Sequence, residues 1–73
     1  MADEYFDGDE VQALLQQAIA SLPEVQRQVF CLRYYDDMKY SEMSTLLGTS
    51  QGALKASYHL AVKKIQDFFN HND

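Results

Sequence analysis

Three lysines concentrate positive charge in one segment of this chain, where a cationic surface could bind an anionic ligand. Lys55, Lys63 and Lys64 fall within residues 49–66, which contain no Asp or Glu, so this segment carries a formal charge of +3 in a chain of net charge −5. Lysine ammonium groups bind nucleic-acid phosphates and the acceptor edge of guanine. Lysines also form ordinary solvated surfaces, with their stems lying along the protein. The elements that position the three lysines decide between these interpretations.

The segment around the first lysine predicts a helix-turn-helix. A short amphipathic stretch, residues 40–47, is followed by Gly48-Thr49-Ser50 and by a longer amphipathic stretch, residues 51–69. Gly48 stands where a helix needs a left-handed terminating residue, and Ser50 where the next helix needs a hydroxyl to cap its free N–H groups. Because the second helix of this motif lies in the major groove of DNA, the turn favours the nucleic-acid interpretation.

A helical wheel of residues 51–69 separates an apolar side from a cationic side. The apolar side, which we expect to be core, consists of Leu54, Tyr58, Ala61, Ile65 and Phe68. The opposite side consists of Gly52, Lys55, Ala56, His59 and Lys63, with Leu60 and Gln66 at its margins.

The sequence has no arrangement typical of an enzyme. It contains no Gly-rich phosphate loop and no Ser or Cys with a His and an acid at catalytic spacing. Cys31 is the only cysteine and lies in an apolar segment, so we expect a core residue rather than a disulfide or a zinc ligand. His59 and His71 lie far apart, without a carboxylate at ligand spacing. We therefore predict no catalysis, no metal and no cofactor.

Length and charge describe one small domain with two electrostatic ends. The chain has 73 residues, near the lower limit for a fold held by its core alone. Residues 1–24 contain six acidic residues and no basic one, which predicts an acidic front and a mildly basic back. No apolar run is long enough to cross a bilayer, and residues 1–4 are acidic, unlike a signal peptide, so we expect a cytoplasmic protein.

Apolar spacing predicts an all-α fold of four helices without a wing. The first helix should begin near Asp7 or Asp9, and the second should have Pro23 as its first residue and run to about Tyr35. Ser41 should cap the third helix. We interpret residues 1–8 as an acidic linker remnant, 9–69 as the domain and 70–73 as a disordered tail. The predicted buried residues of the first three helices are Val11, Leu14, Leu15, Ala18, Ile19, Leu22, Val25, Val29, Phe30, Leu32, Tyr40, Met43, Leu46 and Leu47.

An ordered set of motifs crosses the predicted second, third and fourth helices. In chain order the motifs are Leu22-Pro23-Glu24, Arg27, Val29-Phe30, Leu32-Arg33-Tyr34-Tyr35, Lys39-Tyr40-Ser41-Glu42-Met43 and Leu47-Gly48-Thr49-Ser50-Gln51-Gly52-Ala53-Leu54-Lys55-Ala56. From about Val11 to Phe69 the chain resembles region 4 of bacterial RNA polymerase sigma factors, of the extracytoplasmic-function (ECF) group. The resemblance implies a small helical domain that recognises the −35 promoter element through its last helix and docks on the flap of the polymerase β subunit.

The resemblance also implies roles for individual residues in DNA binding. The residues that match base-facing positions are Lys55, Ala56, Ser57, His59 and Leu60. The residues assigned to the DNA backbone are Arg33, Tyr40, Ser41, Ser50, Gln51, Gly52 and Lys63. For the start of the last helix this agrees with the affinity of free N–H groups for phosphate.

Two features depart from the family pattern. Many relatives carry arginine where Ser57 and Leu60 stand, and Ser or Thr where Ala53 or Ala56 stands. Base readout should therefore be altered, with Lys55 on a purine and Leu60 or Ala56 on thymine methyl groups.

The sequence also lacks the promoter-melting region 2, so we expect the C-terminal domain of a longer sigma factor, with a free-standing regulator as the alternative. With about three to five phosphate contacts, the isolated domain should bind weakly and in a salt-dependent manner.

Two other functions fit the same residues. A regulator of the response-regulator output type has a similar helix-turn-helix but commonly dimerises, whereas a sigma domain should be a monomer. A protein-interaction module would instead use the basic helix to bind an acidic partner such as an anti-sigma factor. For polymerase docking the candidate residues are Phe30, Tyr34 and Tyr35, although an ordinary core would use the same residues and is the preferred interpretation for Phe30.

Overall fold

Four helices form the architecture, as the sequence predicts. The computed structural model describes the backbone of residues 2–71 and the side chains of residues 10–71. The helices are α1 (Ala2–Ala20), α2 (Glu24–Tyr34), α3 (Tyr40–Leu47) and α4 (Gln51–Asn70), and residues 2–71 contain no strand. The all-α prediction is confirmed.

The last helix is the element on which the other three pack. α4 contacts α1, α2 and α3, and its buried residues are Leu54, Ala61 and Ile65. One core cluster joins α4 to α1 and α2, and consists of Ala18, Ile19, Leu22, Phe30, Ala61 and Ile65. The other joins α4 to α2 and α3, and consists of Val29, Met43 and Leu54. The predicted core side of α4 is therefore confirmed, with Tyr58 and Phe68 half-buried at its edges.

Three predicted core residues are exposed instead. Val25 and Leu46 are each 61% exposed, and Val11 is 50% exposed. Successive residues of a helix differ by about 100° in direction, so Val25 points within about 40° of the buried Val29. Val25 is exposed because it lies in the first turn of α2, beyond the part of the helix that its neighbours cover. Leu46 points about 100° away from Leu47, because α3 buries only the side that carries Met43. Val11 is aligned with the buried stripe of α1 but lies over an open groove.

Several helix boundaries also differ from the predictions. α1 begins at Ala2 rather than at Asp7 or Asp9, and the acidic composition of its first turns is favourable at a helix N-terminus. α2 ends at Tyr34 with Tyr35 as its C-cap, in agreement with the predicted end, but Pro23 is its N-cap, extended at ψ 151°, rather than its first residue. α4 includes Asn70 from the predicted tail. Met1, Asn72 and Asp73 lie outside the described residues.

The third helix is capped two residues earlier than predicted, at Lys39 rather than at Ser41. Lys39 is the N-cap, and its carbonyl accepts the first helical hydrogen bond from the Met43 N–H at 2.9 Å. The Glu42 carboxylate accepts from the Lys39 N–H at 3.1 Å, which is the side-chain-to-backbone half of a capping box. Because Glu42 supplies this contact, Ser41 lies inside the helix, where its carbonyl accepts from the Thr45 hydroxyl.

The turn between α3 and α4 has the predicted caps. Gly48 adopts φ 65° and ψ 34°, and its N–H donates to the Ser44 carbonyl at 2.9 Å. Ser50 is the N-cap of α4, and its hydroxyl accepts from the Ala53 N–H at 3.2 Å. The two short-range signals thus fix where α3 ends and α4 begins.

Alanine at the two glycines of the helix-turn-helix is expected to change stability in opposite directions. Gly48→Ala should lower the free energy of unfolding by about 1 kcal/mol, because a side chain is disfavoured in the left-handed region. Gly52→Ala, inside α4, should raise it by about 0.5 kcal/mol, because alanine favours helix. A Cβ at either position meets nothing within 4 Å, so backbone conformation alone sets both signs. Urea unfolding of both variants measures the two free energies of unfolding. An equal change in the two variants would contradict a left-handed Gly48 beside a helical Gly52.

Candidate nucleic-acid interface

The outward side of α4 forms an exposed, cationic strip. Its five predicted residues, all exposed, are Gly52, Lys55, Ala56, His59 and Lys63. They lie opposite the buried side of the helix, so packing against the other helices leaves them available to a ligand. The predicted division of α4 into a core side and a cationic side is correct for each of these residues.

Two cations from different helices lie over one aromatic ring at the edge of this strip. The Arg33 guanidinium carbon lies 5.2 Å from the centroid of the Tyr40 ring, and the Lys55 Nζ lies 5.7 Å from the same centroid. A cation within about 6 Å of an aromatic centroid is attracted by the ring quadrupole. The contacts gather the end of α2, the start of α3 and the first half of α4 into one site.

Arg33 is also bound to its own loop. One of its terminal nitrogens donates to the Met38 carbonyl at 3.1 Å and lies 3.6 Å from the Asp37 carboxylate. Asp37 adopts φ 53°, a conformation that aspartate tolerates better than most residues, and it is 94% exposed. An ion pair this exposed contributes little to stability. The hydrogen bond nevertheless links the end of α2 to the loop that leads into α3.

The first turn of α4 is open to solvent. Ser50, Gln51 and Gly52 are all exposed, and no neighbouring atom crowds the position of a Cβ on Gly52. Internal packing therefore does not require glycine at this position, so its small size is available for the close approach of a ligand. The first N–H groups of a helix attract phosphate when they are exposed in this way.

The remaining predicted residues do not all lie on the strip. Leu60 is 46% exposed and lies at its margin, as predicted. Ser57 is half-buried, and its direction on the helix differs from that of Lys55 by about 160°. It therefore lies on the opposite flank of α4. Ser41 is exposed next to Tyr40, at the start of α3. The structure thus brings Arg33, Tyr40 and Lys55 to one edge of the strip and leaves Ser57 apart from them.

A second surface feature is an apolar groove between α1, α2 and α4. It has a volume of about 490 Å³ and is lined mainly by Val11, Leu15, Phe30, Tyr34, Tyr58, Val62 and Phe69. Phe30 is 4% exposed and stacks at 5.0 Å on Tyr34 and 5.6 Å on Tyr58, so it is both core and floor of the groove. Burial raises the pKa of Tyr58, with the neighbouring Tyr40 adding to the shift.

Sequence reasoning identified only part of this groove. It named Phe30 and Tyr34 as candidates for docking and placed Val11 and Leu15 in the core. For Phe69, at the end of α4, it left open a core position or an exposed contact for a partner. Tyr35, the third candidate, is 48% exposed and its hydroxyl accepts from the Gln16 amide at 3.1 Å. Residues 62–69 carried a signal for the groove, since they contain more apolar and aromatic side chains than the buried side of one helix can cover.

Metal and membrane sites are not apparent in the part of the chain that the structure describes. Within residues 2–71, no group of His, Cys, Asp and Glu is arranged to hold a metal ion. No helix in the same range is sufficiently long and apolar to span a bilayer. Cys31 is a half-buried free thiol that packs against the core, as expected.

Comparison with known proteins identifies one family. The family model described as Sigma-70, region 4 matches residues 12–65, which is more than half of the chain. Searches of curated proteins and of solved structures give no match.

Proposed function

We propose that this chain, which belongs to the sigma-70 region 4 family, recognises a −35 promoter element as part of an ECF sigma factor. In sigma factors this domain binds −35 promoter DNA. The observation that carries this proposal is the exposed strip of α4, which is cationic in a chain of net charge −5. A basic helix with an open N-terminal turn fits the major groove, while the acidic remainder of the chain is repelled by the DNA backbone.

Each part of the strip has a role in this proposal. The residues proposed to face base edges are Ala56, His59 and Leu60. By resemblance Lys55 and Ser57 would also face bases, but Ser57 is half-buried on the opposite flank of α4. The residues assigned to phosphates are Arg33, Tyr40, Ser41, Ser50, Gln51, Gly52 and Lys63. The domain occupies residues 9–69, acts in the cytoplasm as a monomer and needs no cofactor. The family match favours this function over a response-regulator output domain, which would dimerise.

Selection from a pool of random DNA duplexes tests the proposal. At about 50 mM salt the chain should enrich one short motif, and affinity for it should fall with a log–log salt slope of about −3 to −4. His59→Ala should relax the selection at one base position. Recovery of no motif, with binding equal on all duplexes, would contradict promoter recognition. Sedimentation of the same sample should give a monomer.

The apolar groove supports a second part of the proposal, docking on the β flap of RNA polymerase. The groove combines a buried aromatic floor with an exposed rim, since Phe30 is 4% and Tyr34 is 54% exposed. Aromatic anchors at the centre of an apolar surface carry most of the energy of many protein interfaces. The groove and the strip of α4 use different residues, so one domain can bind the polymerase and DNA together.

Tyr34→Ala provides the test of docking. Binding to the isolated flap domain should weaken about tenfold, since losing an aromatic interface anchor costs more than about 1 kcal/mol. Val25→Ala is the control, because Val25 is 61% exposed on the same helix and does not line the groove. Equal effects of the two substitutions would exclude the groove. Binding of an anti-sigma factor that competes with the flap would assign the groove to both partners.

A further inference from the structure

The strip of α4 is not uniform, because Lys55 differs from the other residues on it. The centre of the strip is the direction on α4 opposite its buried residues. Four strip residues point within about 40° of this centre, namely Gly52, Ala56, His59 and Lys63, whereas Lys55 points about 80° away from it. The deviation is toward α3, since the Lys55 Nζ lies 5.7 Å from the centroid of Tyr40, the first residue of α3. The ammonium thus sits at the border of the strip.

The surroundings of that ammonium are suited to an anion. Arg33 and Lys55 place two positive charges over the Tyr40 ring, and Arg33 has its own carboxylate at 3.6 Å in Asp37. Within residues 10–71, no carboxylate lies within salt-bridge distance of Lys55. The ring attracts the ammonium without neutralising it and limits the freedom of a long side chain. An anion binding here meets a positioned charge.

We propose that Lys55 is a phosphate-binding residue, forming with Arg33 and Tyr40 a backbone-binding site, and that it contributes affinity without discriminating bases. This inference rests on the proposed DNA-binding function and changes the role that sequence resemblance gives to Lys55. When α4 lies in the major groove, residues at its centre face base edges and residues at its border face the backbone.

Base discrimination then belongs to the centre of the strip and its opposite margin. His59 is the polar side chain there that can donate to or accept from a base edge. Ala56 and Leu60 offer methyl groups, which suit the C5-methyl group of thymine. The preferred sequence should therefore contain thymines beside one position that His59 reads.

Three variants separate a phosphate contact from a base contact. Lys55→Ala should weaken binding to the selected duplex and to a scrambled duplex by the same factor, and should reduce the steepness of the salt slope by about 0.9. Lys55→Arg should retain both the selected motif and the slope, because a guanidinium also binds phosphate. Lys64→Ala, at an exposed lysine outside the strip, is the control and should leave both unchanged.

The decisive comparison measures the affinity of the unmodified chain and of each variant for three kinds of DNA. These are the selected duplex, each single-base variant of that duplex, and the scrambled duplex. Loss of discrimination at one position by fivefold or more in Lys55→Ala, or a new guanine preference in Lys55→Arg, would overturn the proposal. An unchanged salt slope in Lys55→Ala would also overturn it. These outcomes differ from failure of the proposed function, in which the unmodified chain itself shows no preference for the selected duplex.

Discussion

Met43→Ala is expected to lower the free energy of unfolding by about 3 kcal/mol. Met43 is 0% exposed and packs with Val29 and Leu54, joining three helices in one cluster. Truncating a buried methionine removes apolar burial and leaves a cavity, at a typical cost of about 2–5 kcal/mol. A small domain has a total stability of only about 5 kcal/mol, so the variant should retain about 2 kcal/mol and unfold at a lower temperature and urea concentration. Thermal and urea unfolding followed by circular dichroism measure the change.

Leu46→Ala is the matched control for that experiment. Leu46 lies on the same eight-residue helix and is 61% exposed. Exposed substitutions away from special features typically change stability by less than about 0.5 kcal/mol. A cost of Leu46→Ala equal to that of Met43→Ala would contradict the packing of α3 described above.

Ala56→Glu is expected to weaken DNA binding about 100-fold without unfolding the domain. Ala56 is exposed near the centre of the strip, so a carboxylate there would face the acceptor edges and phosphates of the groove. Like charges brought together at an interface cost several kcal/mol, and each 1.4 kcal/mol is about a factor of ten in affinity. Glutamate is a good helix former, so α4 should persist. Fluorescence anisotropy with the selected duplex measures the loss.

Ala13→Glu controls for the change in net charge. Ala13 is exposed on α1, and the substitution alters the charge of the chain by the same amount as Ala56→Glu. Its effect on affinity should be less than about threefold, because a charge farther than a Debye length of about 8 Å from the DNA is largely screened. Similar losses in the two variants would show that total charge, rather than the strip of α4, governs binding.

Local rules accounted for the helix-turn-helix. The roles of Gly48 and Ser50 depend only on a few neighbouring residues. Gly48 ends α3 because it adopts a left-handed conformation, and Ser50 begins α4 because its side chain caps the helix. The side of α4 that is buried also follows from periodicity, because a twenty-residue helix repeats its apolar pattern over five turns. These features required no knowledge of how the helices pack.

Features that depend on tertiary packing were not accessible in the same way. Leu46 and Val25 are as apolar as their buried neighbours, and the placement of the surrounding helices decides which part of a short helix is covered. The capping of α3 depended on the choice between Ser41 and Glu42, two residues that both favour a helix start. The contact of Lys55 with Tyr40 depends on how α4 crosses α3, which periodicity does not specify. The groove is likewise formed by three helices that are separated in sequence.

Amide chemical-shift mapping with the selected DNA duplex tests the central claim, that the outward side of α4 reads DNA, most directly. Titration of the ¹⁵N-labelled chain is predicted to shift the signals of residues 50–63 together with those near Arg33 and Tyr40, and to leave the groove residues Val11 and Phe69 unchanged. Shifts concentrated around the groove, with the α4 strip unaffected at saturating DNA, would contradict the account.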